Sequence, residues 1–376
     1  MTDKANSRER NDIPTTRSSM SRTPNKLGTK KPSFLQWMAL AIVGLLLFSS
    51  MIATEANNTN DNVCTLDDGC KNPEYNEEEA LEHLLYSKAA FCTEQAITLW
   101  SCGDMCDRAP IVGDKVRYIP EGPVAKVQGY VAQIPVETQQ GALSEQEEPS
   151  PDDSTKCIVS FRGSLNLANW MADLDFRLQE WPLGELQNAE WCKGCRAHKG
   201  FTNAYDEIRK DVHASIEELG CTRLVVAGHS LGAAVATIAS FDLRSAMKYQ
   251  VEATWAFGLP RIGNRKFVES FEAGAASQGV SPPIWRVVHY HDPVPRLPPS
   301  VPLILPVVHG GLEVYYTDRA SSNYLVCPQD GKAENKSKDC MGGFPAMLSL
   351  NLDHVDYLNE TFAFKDFPDE CKASEL

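Results

Sequence analysis

Apolar positions along the chain follow two rhythms that alternate from about residue 200 onward. Phe201, Tyr205, Ile208, Val212 and Ile216 recur every three or four positions until Gly220 stops them, so the spacing predicts a helix over 201–219. A short apolar strand follows at 223–227, then an alanine-rich helix at 231–247, a strand at 253–257, a helix at 265–273 and a strand at 284–289. Upstream, helical spacing covers 80–99, and strand-like runs lie at 125–134 and 157–161. Strands alternating with helices predict an α/β fold, a mostly parallel central sheet flanked by helices.

Between these segments the polar stretches divide the chain. Residues 1–33 are polar and basic and read as a disordered tail. Residues 34–53, from Phe34 to Ala53, are an uncharged apolar run of 20 residues preceded by Lys30 and Lys31, long enough to cross a bilayer as a helix. The positive-inside rule keeps the basic tail cytosolic and sends the rest to the lumen or outside. A signal peptide cleaved near Thr54-Glu55-Ala56 is the alternative, and would make the chain secreted rather than membrane-anchored. Residues 54–76 read as a stalk, and 77–376 as the compact domain. An acidic stretch rich in Pro, Gln and Ser at 137–155 reads as a solvated loop inside that domain.

Composition narrows the setting. All twelve cysteines follow the apolar run, as expected of a chain that folds in an oxidising compartment of the secretory pathway. Asn57, Asn335 and Asn359 each open a glycosylation acceptor, in keeping with a glycoprotein. The net charge is −14, and the first 31 residues carry +5 of their own, which leaves −19 for the remainder. Nucleic acid is therefore a poor partner, and any binding to lipid has to come from apolar surface rather than attraction to anionic headgroups.

The chemistry centres on Leu224-Val225-Val226-Ala227-Gly228-His229-Ser230-Leu231-Gly232, a strand that breaks into a Gly-x-Ser-x-Gly turn and then a helix. Such a turn presents its serine hydroxyl above the sheet, with a helix N-terminus behind it. A serine nucleophile needs a histidine to take its proton and an acid to orient that histidine. Asp292 follows the strand at 284–289 and is placed for the acid; its other reading is a turn cap before Pro293. Only His309 and His354 come later, and His354, in a late loop, fits the base better than His309, which precedes Gly310-Gly311 and reads as a turn residue. Oxyanion donors are expected from the N–H of Leu231 and from Ser164, after the strand that ends in Phe161-Arg162-Gly163. Leu167, Trp170, Met171 and Leu174 then form a short amphipathic stripe, which is either core or a helical lid over the site.

These blocks together resemble the class 3, or fungal-type, triacylglycerol lipase family. The match rests on Phe161-Arg162-Gly163-Ser164, Asn169-Trp170, His198-Lys199-Gly200-Phe201, the serine turn, Gly258-Leu259-Pro260-Arg261-Ile262-Gly263-Asn264, Asp292-Pro293-Val294-Pro295-Arg296-Leu297-Pro298-Pro299 and Asp353-His354. The resemblance implies an α/β-hydrolase fold and hydrolysis of acylglycerol esters through an acyl-enzyme, with no cofactor. It assigns Ser230 as nucleophile, Asp292 as acid, His354 as base, and Ser164 with Leu231 as oxyanion donors, and it puts the lid at 165–174. It also suggests the pairs Cys92–Cys371, Cys102–Cys106 and Cys327–Cys340. Cys192 and Cys195 lack a second close pair to complete a zinc site, so no metal is expected; Cys157 and Cys221 begin strands expected to be neighbours. The chain departs from the family in carrying Ala233 after the elbow and in the 137–155 insertion. Phospholipase A1 or feruloyl-type esterase activity is the alternative on the same scaffold, and a catalytically silent surface-binding protein is the alternative of another class.

Overall fold

Strand residues that alternate between two apolar environments build the central sheet. In the computed structural model, the described residues are 74–136, 155–165, 177–182, 189–281, 283–301, 303–327, 340–341, 351–362 and 371. In chain order the elements are α1 (Glu77–Ala89), α2 (Glu94–Thr98), α3 (Asp104–Arg108), β1 (Val116–Ile119), β2 (Gly129–Gln133), β3 (Lys156–Phe161), β4 (Leu178–Glu180) and β5 (Arg196–His198). There follow α4 (Lys199–Glu218), β6 (Arg223–His229), α5 (Leu231–Ser245), β7 (Gln250–Phe257), β8 (Gly263–Asn264), α6 (Arg265–Ser277) and β9 (Trp285–His289). The last are β10 (Val307–Val308), β11 (Leu312–Tyr316), β12 (Tyr324–Cys327), β13 (Asp356–Tyr357) and β14 (Glu360–Thr361).

Eight strands form one sheet in the order β1-β2-β3-β6-β7-β9-β11-β12. The five from β3 to β11 run parallel, and the strands outside them pair antiparallel. Along β6, Leu224 and Val226 face a core built with Phe201 and Ile208 of α4, Ala234 and Ile238 of α5, and Phe267 and Phe271 of α6. Val225 and Ala227 face the other core, with Leu84 and Leu85 of α1, Ile97 of α2 and Trp255 of β7. This two-sided burial is why the central strands read as continuous apolar runs. The fold is that of an α/β-hydrolase. A smaller antiparallel sheet, β10-β8-β5-β4, is built from strands of two or three residues.

The single helix expected over 80–99 is instead two, α1 and α2. The chain turns at 90–93, where Cys92 bonds to Cys371 and the Gln128 side-chain amide donates to the Ala90 and Cys92 carbonyls at 3.0 and 2.8 Å. Thr93 then caps α2 through a 3.3 Å bond from the Ala96 N–H. Tertiary bonds thus replace the helical ones that the interruption gives up. Strand β1, which the apolar pattern does not predict, pairs with β2 at the sheet edge.

Five disulfides close among the described residues: Cys92–Cys371, Cys102–Cys106, Cys157–Cys221, Cys192–Cys195 and Cys327–Cys340. No described cysteine is free. Between α4 and α5, buried Asp242 accepts from Tyr205, Arg209 and His213 at 2.7–3.0 Å. Burial alone would raise its pKa, but the His213 and Arg209 donors hold this carboxylate below the usual range. The chain divides into two compact units, Met1–Asn57 and Asn58–Leu376, and the first lies outside the described residues with the apolar run at 34–53. Among the described residues no helix is long and apolar enough to cross a membrane. The lid segment, with Leu167, Trp170, Met171 and Leu174, and residues 137–154 of the acidic insertion also lie outside the described residues.

Candidate active site

The site sits where the parallel strands end. Ser230 lies between β6 and α5 with φ 60° and ψ −124°, a conformation that costs an L residue energy and is held by its surroundings. Its N–H donates to the Phe257 carbonyl of β7 at 2.9 Å. Glycines let the turn close. A Cβ at Gly228 would lie 2.8 Å from the Ala233 nitrogen, and one at Gly232 would lie 2.9 Å from the Arg162 carbonyl carbon and 3.0 Å from the Gly163 nitrogen. The first turn of α5 is thereby pressed against the chain leaving β3, at Arg162 and Gly163. Ala233 is fully buried at this junction.

Asp292 follows β9 and is fully buried. One carboxylate oxygen accepts from the Val294 N–H at 2.7 Å; the other accepts from His354 Nδ1 at 2.8 Å and from the Tyr357 hydroxyl. A carboxylate can only accept here, so Nδ1 of His354 carries the proton and Nε2 is left with its lone pair. His354 Nε2 and Ser230 Oγ are both buried, and neither has a hydrogen-bond partner among the described residues. Groups so placed are costly in a structural role and are what a proton transfer needs. A Cβ at Gly258, which has φ +62°, would come within 2.9 Å of His354 Cε1, so the end of β7 also packs on the imidazole.

The segment carrying His354 has no long element of its own and is pinned by side chains from the sheet. His229 Nε2 donates to the His354 carbonyl at 2.8 Å, and His289 Nδ1 to the Asp353 carbonyl at 2.9 Å. Arg319 pairs with Asp353 at 3.0 Å. The His229 ring stacks on Phe362 at 4.0 Å and lies 4.6 Å from the His354 ring. Burial, then the neighbouring His354, push the His229 pKa well down, so this imidazole stays neutral and adds no charge to the site.

The structure joins His354 to Asp292 and packs Gly163 against the turn that carries Ser230 and Leu231. His309 it places elsewhere: buried, with Nε2 donating to the Pro295 carbonyl at 2.6 Å, it braces the loop that carries Asp292. Burial and the charges of Arg286 and Arg261 keep His309 well below its ordinary pKa. Arg162 fixes the other loop, bonding Gln128 at 2.8 Å and both Glu121 and the Lys126 carbonyl at 2.6 Å. Tyr357, His229 and His289 carry roles that no spacing announced, although His229 stands inside the serine turn. The grouping of Glu313 with Cys327 and Cys340 is no metal centre, since the two cysteines are bonded to each other and Glu313 pairs with Arg286 at 2.9 Å.

Residues 158–301 match the family model described as Lipase (class 3). Over this region the chain is similar to the class 3 lipases. It is 31% identical over 218 residues to a lipase of Rhizomucor miehei, covering 54% of this chain and 53% of that protein. It is 33% identical over 215 residues to the secreted mono- and diacylglycerol lipase A of Penicillium cyclopium, covering 55% and 64%. The match thus spans only about half to two thirds of these relatives' length. The solved structure of Rhizomucor miehei triacylglyceride lipase superposes with a TM-score of 0.55 at 24% identity, over 76% of this chain and 94% of that one. Within the class 3 lipase frame, the first residue of the matched region lies in β3 and the last lies beyond Asp292, whereas the segment holding His354 falls outside it.

Proposed function

We propose that the protein is a serine carboxylic-ester hydrolase acting on acylglycerols, with Ser230 as nucleophile, His354 as base, Asp292 as acid, and Leu231 with Ser164 as oxyanion donors. The observation that carries this reading is that two buried atoms, Ser230 Oγ and His354 Nε2, have no hydrogen-bond partner among the described residues, while the other nitrogen of the His354 ring is fixed on a buried carboxylate. His354 Nε2 takes the hydroxyl proton as Oγ attacks the ester carbonyl. The Leu231 N–H at the start of α5 and the Ser164 N–H meet the developing oxyanion, in a place where the helix leaves its first N–H groups without internal acceptors. The imidazolium, stabilised by Asp292, protonates the departing alcohol; water then attacks the acyl-enzyme by the same route.

Substrate class follows from the company the chain keeps. One similar solved structure is described as a triacylglycerol lipase whose catalytic centre is a serine protease triad, and the Penicillium relatives as mono- and diacylglycerol lipases. We read residues 165–174 as a lid over the site, and the catalytic domain as luminal or extracellular, anchored through 34–53 or released by cleavage there. The test is hydrolysis of emulsified trioleoylglycerol, dioleoylglycerol and phosphatidylcholine by the purified full chain and by Ser230→Ala. Acylglycerol turnover that falls about 10⁶-fold in the variant is expected. A variant near wild type overturns the assignment of Ser230, and phosphatidylcholine as the favoured substrate moves the reading to a phospholipase.

A further inference from the structure

Residues 297–308, Leu-Pro-Pro-Ser-Val-Pro-Leu-Ile-Leu-Pro-Val-Val, carry no charge, and Ser300 is their only polar side chain. In the structure this stretch folds back on itself. The Val301 N–H donates to the Leu305 carbonyl at 2.9 Å and the Leu305 N–H returns the bond at 2.8 Å. At the tip Leu303 is 99% exposed and Ile304 82% exposed, and Leu303 has φ 68°, a left-handed conformation that a bulky apolar residue adopts only when held there. Single exposed apolar residues are ordinary; two adjacent ones, raised on a pinned tip in an uncharged segment, are not.

The tip leaves from the catalytic edge of the sheet. Its base is tied to the segment following β7 by the Arg261 N–H, which donates to the Leu297 carbonyl at 2.7 Å, and by the Arg261 guanidinium, which donates to the Pro298 carbonyl at 2.9 Å. Asp292, eleven residues before Leu303, begins the same loop. We infer that the 301–305 tip inserts Leu303 and Ile304 into an electrically neutral lipid–water interface and so seats the site on its substrate surface. This rests on the acylglycerol reading above. Charge decides between surfaces: a chain of net charge −14 with an uncharged tip gains nothing from anionic headgroups. Area decides against a second copy, because the two side chains offer about 100 Å² each where a stable dimer needs about 1,200 Å² in total.

Amide hydrogen exchange of the full chain reads the tip directly. With phosphatidylcholine vesicles, the peptide spanning 300–308 is expected to exchange several-fold more slowly than without them, and the protection to vanish in Leu303→Ser/Ile304→Ser. On a trioleoylglycerol emulsion the same double variant, checked for an unchanged Tm, is expected to need about 10- to 100-fold more surface for half-maximal rate. Unchanged exchange on adding vesicles overturns the proposal. So does protection that appears without lipid and grows with protein concentration, which marks a second copy as the occupant, or protection that requires phosphatidylserine. Vesicle protection in a chain that hydrolyses no soluble short-chain ester would retain the tip and sink the acylglycerol reading, so the two failures are distinct.

Discussion

Adding one methyl group at Gly163 tests how tightly the proposed oxyanion loop is registered against Ser230, the proposed nucleophile. That methyl would lie 2.7 Å from the His229 carbonyl oxygen, 3.2 Å from Phe91 Cζ and 3.3 Å from Ser230 Cβ, where ordinary contact begins at 3.4 Å. The His229 carbonyl belongs to the end of β6 and the Ser230 side chain to the turn before α5, neither of which can yield without distorting the elbow. The loop at 162–164 therefore has to back away by about 0.7 Å, the shortfall against the carbonyl, and the Ser164 donor moves with it. Overpacking of this kind costs about 1–3 kcal/mol of stability, a loss of a few degrees in Tm. Catalysis suffers more, since a donor misplaced by about 1 Å costs about 100-fold in rate. For Gly163→Ala, kcat on a soluble short-chain ester should fall about 30- to 100-fold, read beside the melting curve of the same sample. A folded variant with kcat within threefold of wild type would refute the placement of the oxyanion donors.

Other predictions concern the frame around the site. His83, buried against Trp255 at 5.3 Å, is pushed down from 6.5 to about 4, chiefly by burial. It stays neutral in the folded state while the unfolded chain takes up a proton near pH 6.5, so its contribution is fully present above pH 6.5 and is lost as pH falls toward 4. His83→Phe should flatten the fall in urea-derived stability between pH 7.5 and pH 5 by about 2 kcal/mol; an unchanged slope contradicts the assignment. The Cys157–Cys221 bond spans 64 residues and ties the start of β3 to the chain entering β6. Replacing both cysteines by alanine should cost about 4 kcal/mol by loop entropy, measured by urea unfolding under conditions that leave the other disulfides intact. Asp292→Asn should lower kcat about 10⁴-fold with KM little changed, because the amide no longer selects the Nδ1–H tautomer of His354.

Much of the fold was legible because its central strands are buried on both faces and its helices are amphipathic. Leu224 to Ala227 announce β6 as a run of apolar residues, and the expectation for Ser230 and Asp292 came from their positions just past the ends of such strands. The interruption of the first helix was not legible, because Gln128 and the Cys92–Cys371 bond, which make it possible, come from remote parts of the chain. The small sheet escaped for another reason: strands of two or three residues such as β5, β8 and β10 are too short to show a period. Tyr357 could be recognised only once folding placed its hydroxyl on Asp292, and His229 looked like one letter of the serine turn until its bond to the His354 carbonyl was seen. Donors that act on backbone carbonyls leave no pattern in sequence. His309 shows the converse, a histidine near the acid in sequence that the fold uses to hold Pro295.

The central claim is that Ser230 is an activated nucleophile, and covalent capture tests it most directly. The purified full chain is treated with an alkyl fluorophosphonate, digested, and the peptide carrying the serine turn is sequenced by mass spectrometry. The account predicts one adduct on Ser230, absent from Ser230→Ala and slowed strongly in His354→Ala. A wild-type chain that stays unlabelled, or an adduct on any other serine, would contradict it.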